Sequence, residues 1–109
     1  MSWPEQVIDG LDSFEELSCS GSESISVTKT VTFLTTTSSC TPSLADAQAG
    51  QVKFITMVSD GGDATISVSN FLNGSTVTLA SVGDWVALKF NGSQWELLDY
   101  SHELSAVVA

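Results

Sequence analysis

The chain has no arginine, only three lysines and a single histidine, against 13 acidic residues, so its net charge is -10. A nucleic-acid binder needs a basic footprint, and this sequence has none. Electrostatic docking to an anionic membrane is excluded on the same ground. No stretch approaches the roughly 20 apolar residues that a membrane-crossing helix needs. Residues 1–17 lack both a basic leader and a continuous apolar run. We therefore expect a protein made in the cytosol that stays there or leaves without a cleaved signal. With two cysteines and one histidine, and no ligand spacing between them, a zinc site is not expected, nor any other cofactor. What is present is hydroxyl and hydrocarbon. Serine and threonine supply 29 of the 109 residues, and 42% of the chain is hydrophobic while 15% is charged. An acidic disordered tail has the opposite balance. Polarity carried by hydroxyls suits strands and turns, and the length suits one domain with a thin core.

The chain divides near Gly21. Residues 1–20 hold five acids and no base, without strand periodicity. Asp12 and Glu15 have the spacing of a capping box, which predicts a short helix over residues 13–18. Val7, Leu11, Phe14 and Leu17 then fall near helical spacing, although Gly10 weakens any longer helix. This segment reads either as a helical turn packed on its own domain or as an arm carrying apolar groups to a partner. Cys19 and Cys40 are either a disulfide tying the segment to the domain or two thiols in a reducing compartment; the compartment argument favours thiols.

From residue 25 the pattern is of strands. Residues 25–33 alternate, with Ile25, Val27, Val31 and Phe33 on one side and hydroxyls on the other. Residues 35–39 read as a hydroxyl-rich loop, and 40–44 as a short edge strand, since Pro42 lacks a ladder donor. Residues 51–59 place Val52, Phe54 and Val58 on one face and Ile55 and Met57 on the other, which predicts a strand covered on both sides. Asp60-Gly61-Gly62-Asp63 reads as a hairpin turn into residues 64–69, with Ala64, Ile66 and Val68 inward. Asn73-Gly74 and Asn91-Gly92 are further turns, the second joining strands at 85–90 and 94–100. Strands at about ten-residue intervals predict an all-β antiparallel sandwich or barrel. The apolar end of the tail, residues 106–109, is expected to add to a sheet edge.

Catalytic constellations are hard to find. His102 stands in the tail with Glu103, and no Gly-x-Ser-x-Gly elbow accompanies it. Asp60 and Asp63 bracket a diglycine turn, which accounts for their types, and the pattern is not a calcium loop. Both Asn-Gly-Ser triplets match a glycosylation sequon but are read as turns. Lys29, Lys53 and Lys89 each fall in a predicted strand, as edge or solvent-face protection or as partners for the acidic excess between subunits. Trp85 and Trp95 flank the last hairpin and are assigned to core packing, a sugar-stacking platform or a subunit contact.

Residues 27–100 resemble a β-rich domain of bacteriophage structural proteins, chiefly head decoration and fibre proteins. The resemblance is carried by 31–37 as a first strand, by 50–58 followed by 60–66, and by 82–90 followed by Asn91-Gly92-Ser93-Gln94-Trp95. It implies a non-enzymatic virion protein assembled in the host cytoplasm, a homotrimer on the capsid surface with the major capsid protein as partner. A fibre would add a long shaft, so a compact decoration (cement) protein is expected. On this reading residues 1–24 are an attachment arm presenting Trp3, Val7, Phe14 and Leu17 to the capsid, residues 25–100 are the β domain, and 101–109 are a tail. Trp85 and Trp95 then serve a subunit interface or ligand stacking. The alternative is a receptor- or carbohydrate-binding module of a fibre or tail; a small hydrolase would need a spaced carboxylate pair in a pocket.

Overall fold

A computed structural model describes residues 13–102 and 104–109. Nine strands follow one another: β1 (Phe14–Cys19), β2 (Val31–Thr36), β3 (Ser43–Leu44), β4 (Val52–Ser59), β5 (Ala64–Val68), β6 (Thr76–Leu79), β7 (Trp85–Phe90), β8 (Trp95–Tyr100) and β9 (Val107–Val108). They form a five-stranded sheet in the order β1-β2-β4-β7-β8 and a four-stranded sheet in the order β3-β5-β6-β9. The described residues contain no helix, and the fold is all-β, consistent with a sandwich.

The expected antiparallel arrangement gives way to two mixed sheets. β1 pairs with β2, β2 with β4 and β3 with β5, all in parallel. The cause is a chain that alternates between sheets. After β1 it visits the second sheet at Ser24, bridged to Ser43, and buries Ile25 before returning as β2. It crosses again through β3 and returns as β4. Each return strand therefore runs the same way as its predecessor, as a crossover connection requires. The turn at residues 60–63 is likewise a passage from β4 to the other sheet, not a hairpin. Its glycines are needed for close approach. A Cβ on Gly62 would collide with the backbone of Ser38 and Ser39, and one on Gly61 with that of Thr36. Thr36 Oγ1 fastens the passage, accepting from Gly61 N at 2.9 Å and donating to Gly62 O at 2.7 Å.

The helix expected over residues 13–18 is a strand. Its burial has period two, with Glu15, Leu17 and Cys19 turned inward. Glu15 is no capping residue: its carboxylate accepts from Ser26 N at 2.8 Å and Thr32 Oγ1 at 2.7 Å and lies 3.7 Å from Lys53 Nζ. An acid on the inner face disguised the alternation. Asp12, Trp3 and Val7 lie outside the described residues. β2 also starts later than expected, at Val31, and takes in Thr35 and Thr36.

One core joins the sheets, with Leu34, Ile55, Met57, Val86 and Leu88 from the first and Leu44, Ile66, Val77 and Leu79 from the second. Trp95 is completely buried there; its Nε1–H donates to Ala45 O at 2.9 Å and its ring meets Phe90 edge to face at 5.3 Å. The Asn91-Gly92 hairpin forms as expected. Gly92 takes a φ of 102°, and Asn91 Oδ1 accepts from Ser93 N and Gln94 N, each at 2.8 Å. The tail's last residues do add to an edge, with Val107 and Val108 opposite Thr78 and Val77 of β6.

Candidate functional site

The outer face of the five-stranded sheet is the most unusual surface of the molecule. Alternation along β4 buries Lys53, Ile55 and Met57 and leaves Val52, Phe54, Thr56 and Val58 on the opposite side. The expected second cover over that side is absent among the described residues: Val52 is 41% exposed and Val58 47%. β2 repeats the pattern against expectation, since Thr32, Leu34 and Thr36 are buried and Val31 and Phe33 face out. A hydroxyl-bearing residue can go inside if its hydrogen bond is made, and Thr32 and Thr36 both have one.

Strand register assembles these residues into rows. Phe14, Val31, Phe54 and Ala87 lie side by side across β1, β2, β4 and β7, and Glu16, Phe33, Thr56 and Trp85 form the next row. Phe14 meets Phe33 edge to face at 5.6 Å; Phe54 and Trp85 stack at 5.6 Å with their planes 18° apart. A shallow groove of roughly 450 Å³ crosses the face between Glu16, Phe33, Thr35 and Val58. The charged groups at the far side come from β7 and β8, where Lys89 pairs with Glu96 and Ala87 with Asp99. Contiguous exposed apolar surface of this kind commonly marks an interaction site.

Of the residues singled out from the sequence, the structure puts Phe14 and Trp85 on this face. Leu17 turns inward and packs against the core, and Trp95 is core. Trp3 and Val7 lie outside the described residues. Phe54 and Val58 were missed because apolar residues on both sides of a strand were taken to mean cover on both sides, and Phe33 because the hydroxyl side of its strand was taken to face out.

The titratable groups serve the fold. Lys53 is fully buried, not at an edge, and its ammonium donates to Lys29 O at 3.0 Å beside Glu15. Burial pulls it down to about 8, against the opposing pull of the Glu15 charge. Asp84 is also buried. Its carboxylate accepts from Ala80 N, Ser81 N, Ser101 Oγ and both Ser105 N and Ser105 Oγ. Burial works to raise it, but the bonds from Ser105, Ala80 and Ser81 together hold it below the usual carboxylate range. His102 packs edge-on against Tyr100 at 5.5 Å. Asp60 accepts from Gly62 N at 3.0 Å, as a turn residue does. Among the described residues, no group of three or more His, Cys, Asp or Glu side chains is placed to hold a metal ion.

Comparison with protein-family models and with curated proteins finds no match for the chain.

Proposed function

We propose that the chain is a non-catalytic phage virion protein, a homotrimeric decoration protein that binds and stabilises the capsid shell through the outer face of its five-stranded sheet. The observation that carries this reading is the aromatic and aliphatic face built by Phe14, Val31, Phe33, Phe54, Val58 and Trp85. A small domain with a thin core gains stability by covering such a face with another protein. Charge supports a foreign partner over a second copy as the occupant. Lys53 is buried, so each copy offers only Lys29 and Lys89 against its acidic excess, and two such faces would meet with like charge. A shell surface with an apolar centre and a basic surround is complementary. Trp3 and Val7, assigned to the capsid contact from the sequence, lie outside the described residues. Many symmetric copies on one shell would then act by multivalency.

The carbohydrate-binding alternative is weakened by both tryptophans. Trp95 is sealed in the core, and Trp85 has one ring face turned to Phe54. A sugar platform needs open ring faces.

The test replaces exposed members of the face, Phe14→Ser with Val58→Ser, in the full chain. Native mass spectrometry checks the trimer and co-sedimentation with undecorated shells reads binding. The expected result is a folded trimer whose shell affinity falls at least about tenfold, the loss of roughly 1.4 kcal/mol that two half-exposed apolar groups can supply. Undiminished pelleting would remove the face from the shell contact. A variant that binds shells but no longer forms trimers would reassign the face to the self-interface.

A further inference from the structure

We propose that Cys19 and Cys40 are a latent disulfide, closed by a peroxide-class oxidant, that fastens edge strand β1 to the second sheet. The inference does not depend on the capsid reading. Cys19 is the last residue of β1 in the five-stranded sheet, and Cys40 is bridged to Ala64 at the start of β5 in the other. The chain segments that leave the two cysteines run side by side. Thr41 N donates to Gly21 O at 2.7 Å, Ser43 N to Glu23 O at 3.0 Å, and Ser24 bridges Ser43 in parallel. The cysteines stand together at the head of this ladder: the Cys19 sulfur lies 3.8 Å from Gly21 O, the same carbonyl that accepts from the residue after Cys40, Thr41. Both are free thiols, and both are buried.

The surroundings make the reduced form persistent. The Cys19 thiol donates to Glu23 Oε1 at 3.2 Å. Burial, the neighbouring Cys40 and the Glu23 carboxylate push it up to about 12, so it is no thiolate at neutral pH. The Cys40 sulfur is assigned the first attack: it displaces at one peroxide oxygen, the O–O bond breaks, and Cys40 becomes a sulfenic acid while the departing hydroxide takes the Cys40 proton to form water. The Cys19 sulfur then attacks the Cys40 sulfur. The S–S bond forms, the S–O bond breaks, and the leaving hydroxide takes the Cys19 proton as a second water. Two thiols are oxidised and one peroxide is reduced to two waters. In a reducing cytosol the pair stays open; outside it, the bond closes.

The experiment uses the full chain, reduced and freed of reductant, then held with hydrogen peroxide at a small excess. Thiols are counted after denaturation, alongside intact mass and thermal melting. The expected outcome is a count falling from two to zero in a monomer-mass chain lighter by about 2 Da, with Tm raised by roughly 10 °C and restored by dithiothreitol. Cys19→Ser and Cys40→Ser should each abolish the mass loss and the Tm shift. Two thiols still titrating after prolonged oxidant, cross-links only between chains, oxygen addition without a disulfide, or a disulfide that leaves Tm unmoved would each overturn the proposal.

Discussion

Glu15→Ala should destabilise the domain by about 3–5 kcal/mol, the range seen when one partner of a buried ion pair is removed. The substitution strips Lys53 of its counter-charge while its ammonium remains buried with a single hydrogen bond, to Lys29 O. It also orphans Ser26 N and the Thr32 hydroxyl, both of which donate to the same carboxylate oxygen. Lys53→Met should behave very differently and stay within about 1 kcal/mol of the parent, because it removes a buried charge while Glu15 keeps its two other donors. The double variant should therefore recover much of the loss. pH gives an independent check. The folded Lys53 is lowered to about 8 from 10.5, so between those values the unfolded chain binds more protons and this group makes stability rise with pH. Its charged form costs the fold roughly 3 kcal/mol below pH 8, a cost relieved by pH 10.5. Urea titrations at pH 7 and 9.5 should show the Glu15→Ala deficit shrinking in alkali, and no such contribution in Lys53→Met. Equal deficits at both values would mean that the charge of Lys53 is not what the pairing compensates.

The second large effect is at Asp84. Asp84→Ala should cost about 3 kcal/mol, since it removes at once the acceptor of the part-buried N–H groups of Ala80, Ser81 and Ser105 and of the Ser101 and Ser105 hydroxyls. The loss should centre on the chain's end, because Ser101 and Ser105 are the groups that tie the tail to the β6–β7 turn. Hydrogen exchange should therefore quicken first at Val107, Val108 and their partners on β6. Asp84 is held below the ordinary carboxylate range, so its contribution is complete above the unfolded value near 3.8 and is lost as pH falls through the folded value. The parent should lose stability below about pH 4 in a way that Asp84→Asn does not. Parallel acid titrations of the two proteins would sink this assignment if they ran alike.

Legibility was uneven along the chain for a physical reason. From residue 64 onward two sequence-adjacent pairs form, β5 with β6 and β7 with β8, through Asn-Gly turns and clean alternation. β5 to β8 could accordingly be placed from residue types alone. Before that, every parallel pairing depends on a crossover into the other sheet, and alternation carries no record of which sheet a strand will join. Glu15 inverted the local rule, an acid inside where an apolar group is expected, because the Lys53 that satisfies it is 38 positions away. Thr32 and Thr36 did the same for β2. Of the candidate site, Phe14 was legible as a contact residue of the N-terminal segment and Trp85 only as one of three alternatives, core packing first, whereas Phe33, Phe54 and Val58 were not legible. Whether a two-sided apolar strand is covered on both faces is a property of the assembly of sheets, and a single strand does not contain it.

The alternation between sheets also sets a timetable. The β7–β8 hairpin can close within one tight turn, on the microsecond scale of such elements. The parallel partners of β1, β2 and β4 meet only after the intervening segments have crossed and returned, so loop-closure entropy falls due before any ladder contact offsets it. β9 must wait longer still: Ser75 N and Thr76 N both donate to the carbonyl of Ala109, and Ala109 N donates back to Thr76. A ribosome-bound chain lacking those residues leaves β6 an open edge of the four-stranded sheet, while the outer face of the other sheet already shows phenylalanine and valine. Crowding nascent chains together is thus most hazardous before β9 is made, and slowing translation there would lengthen the interval in which neighbouring chains can pair with each other.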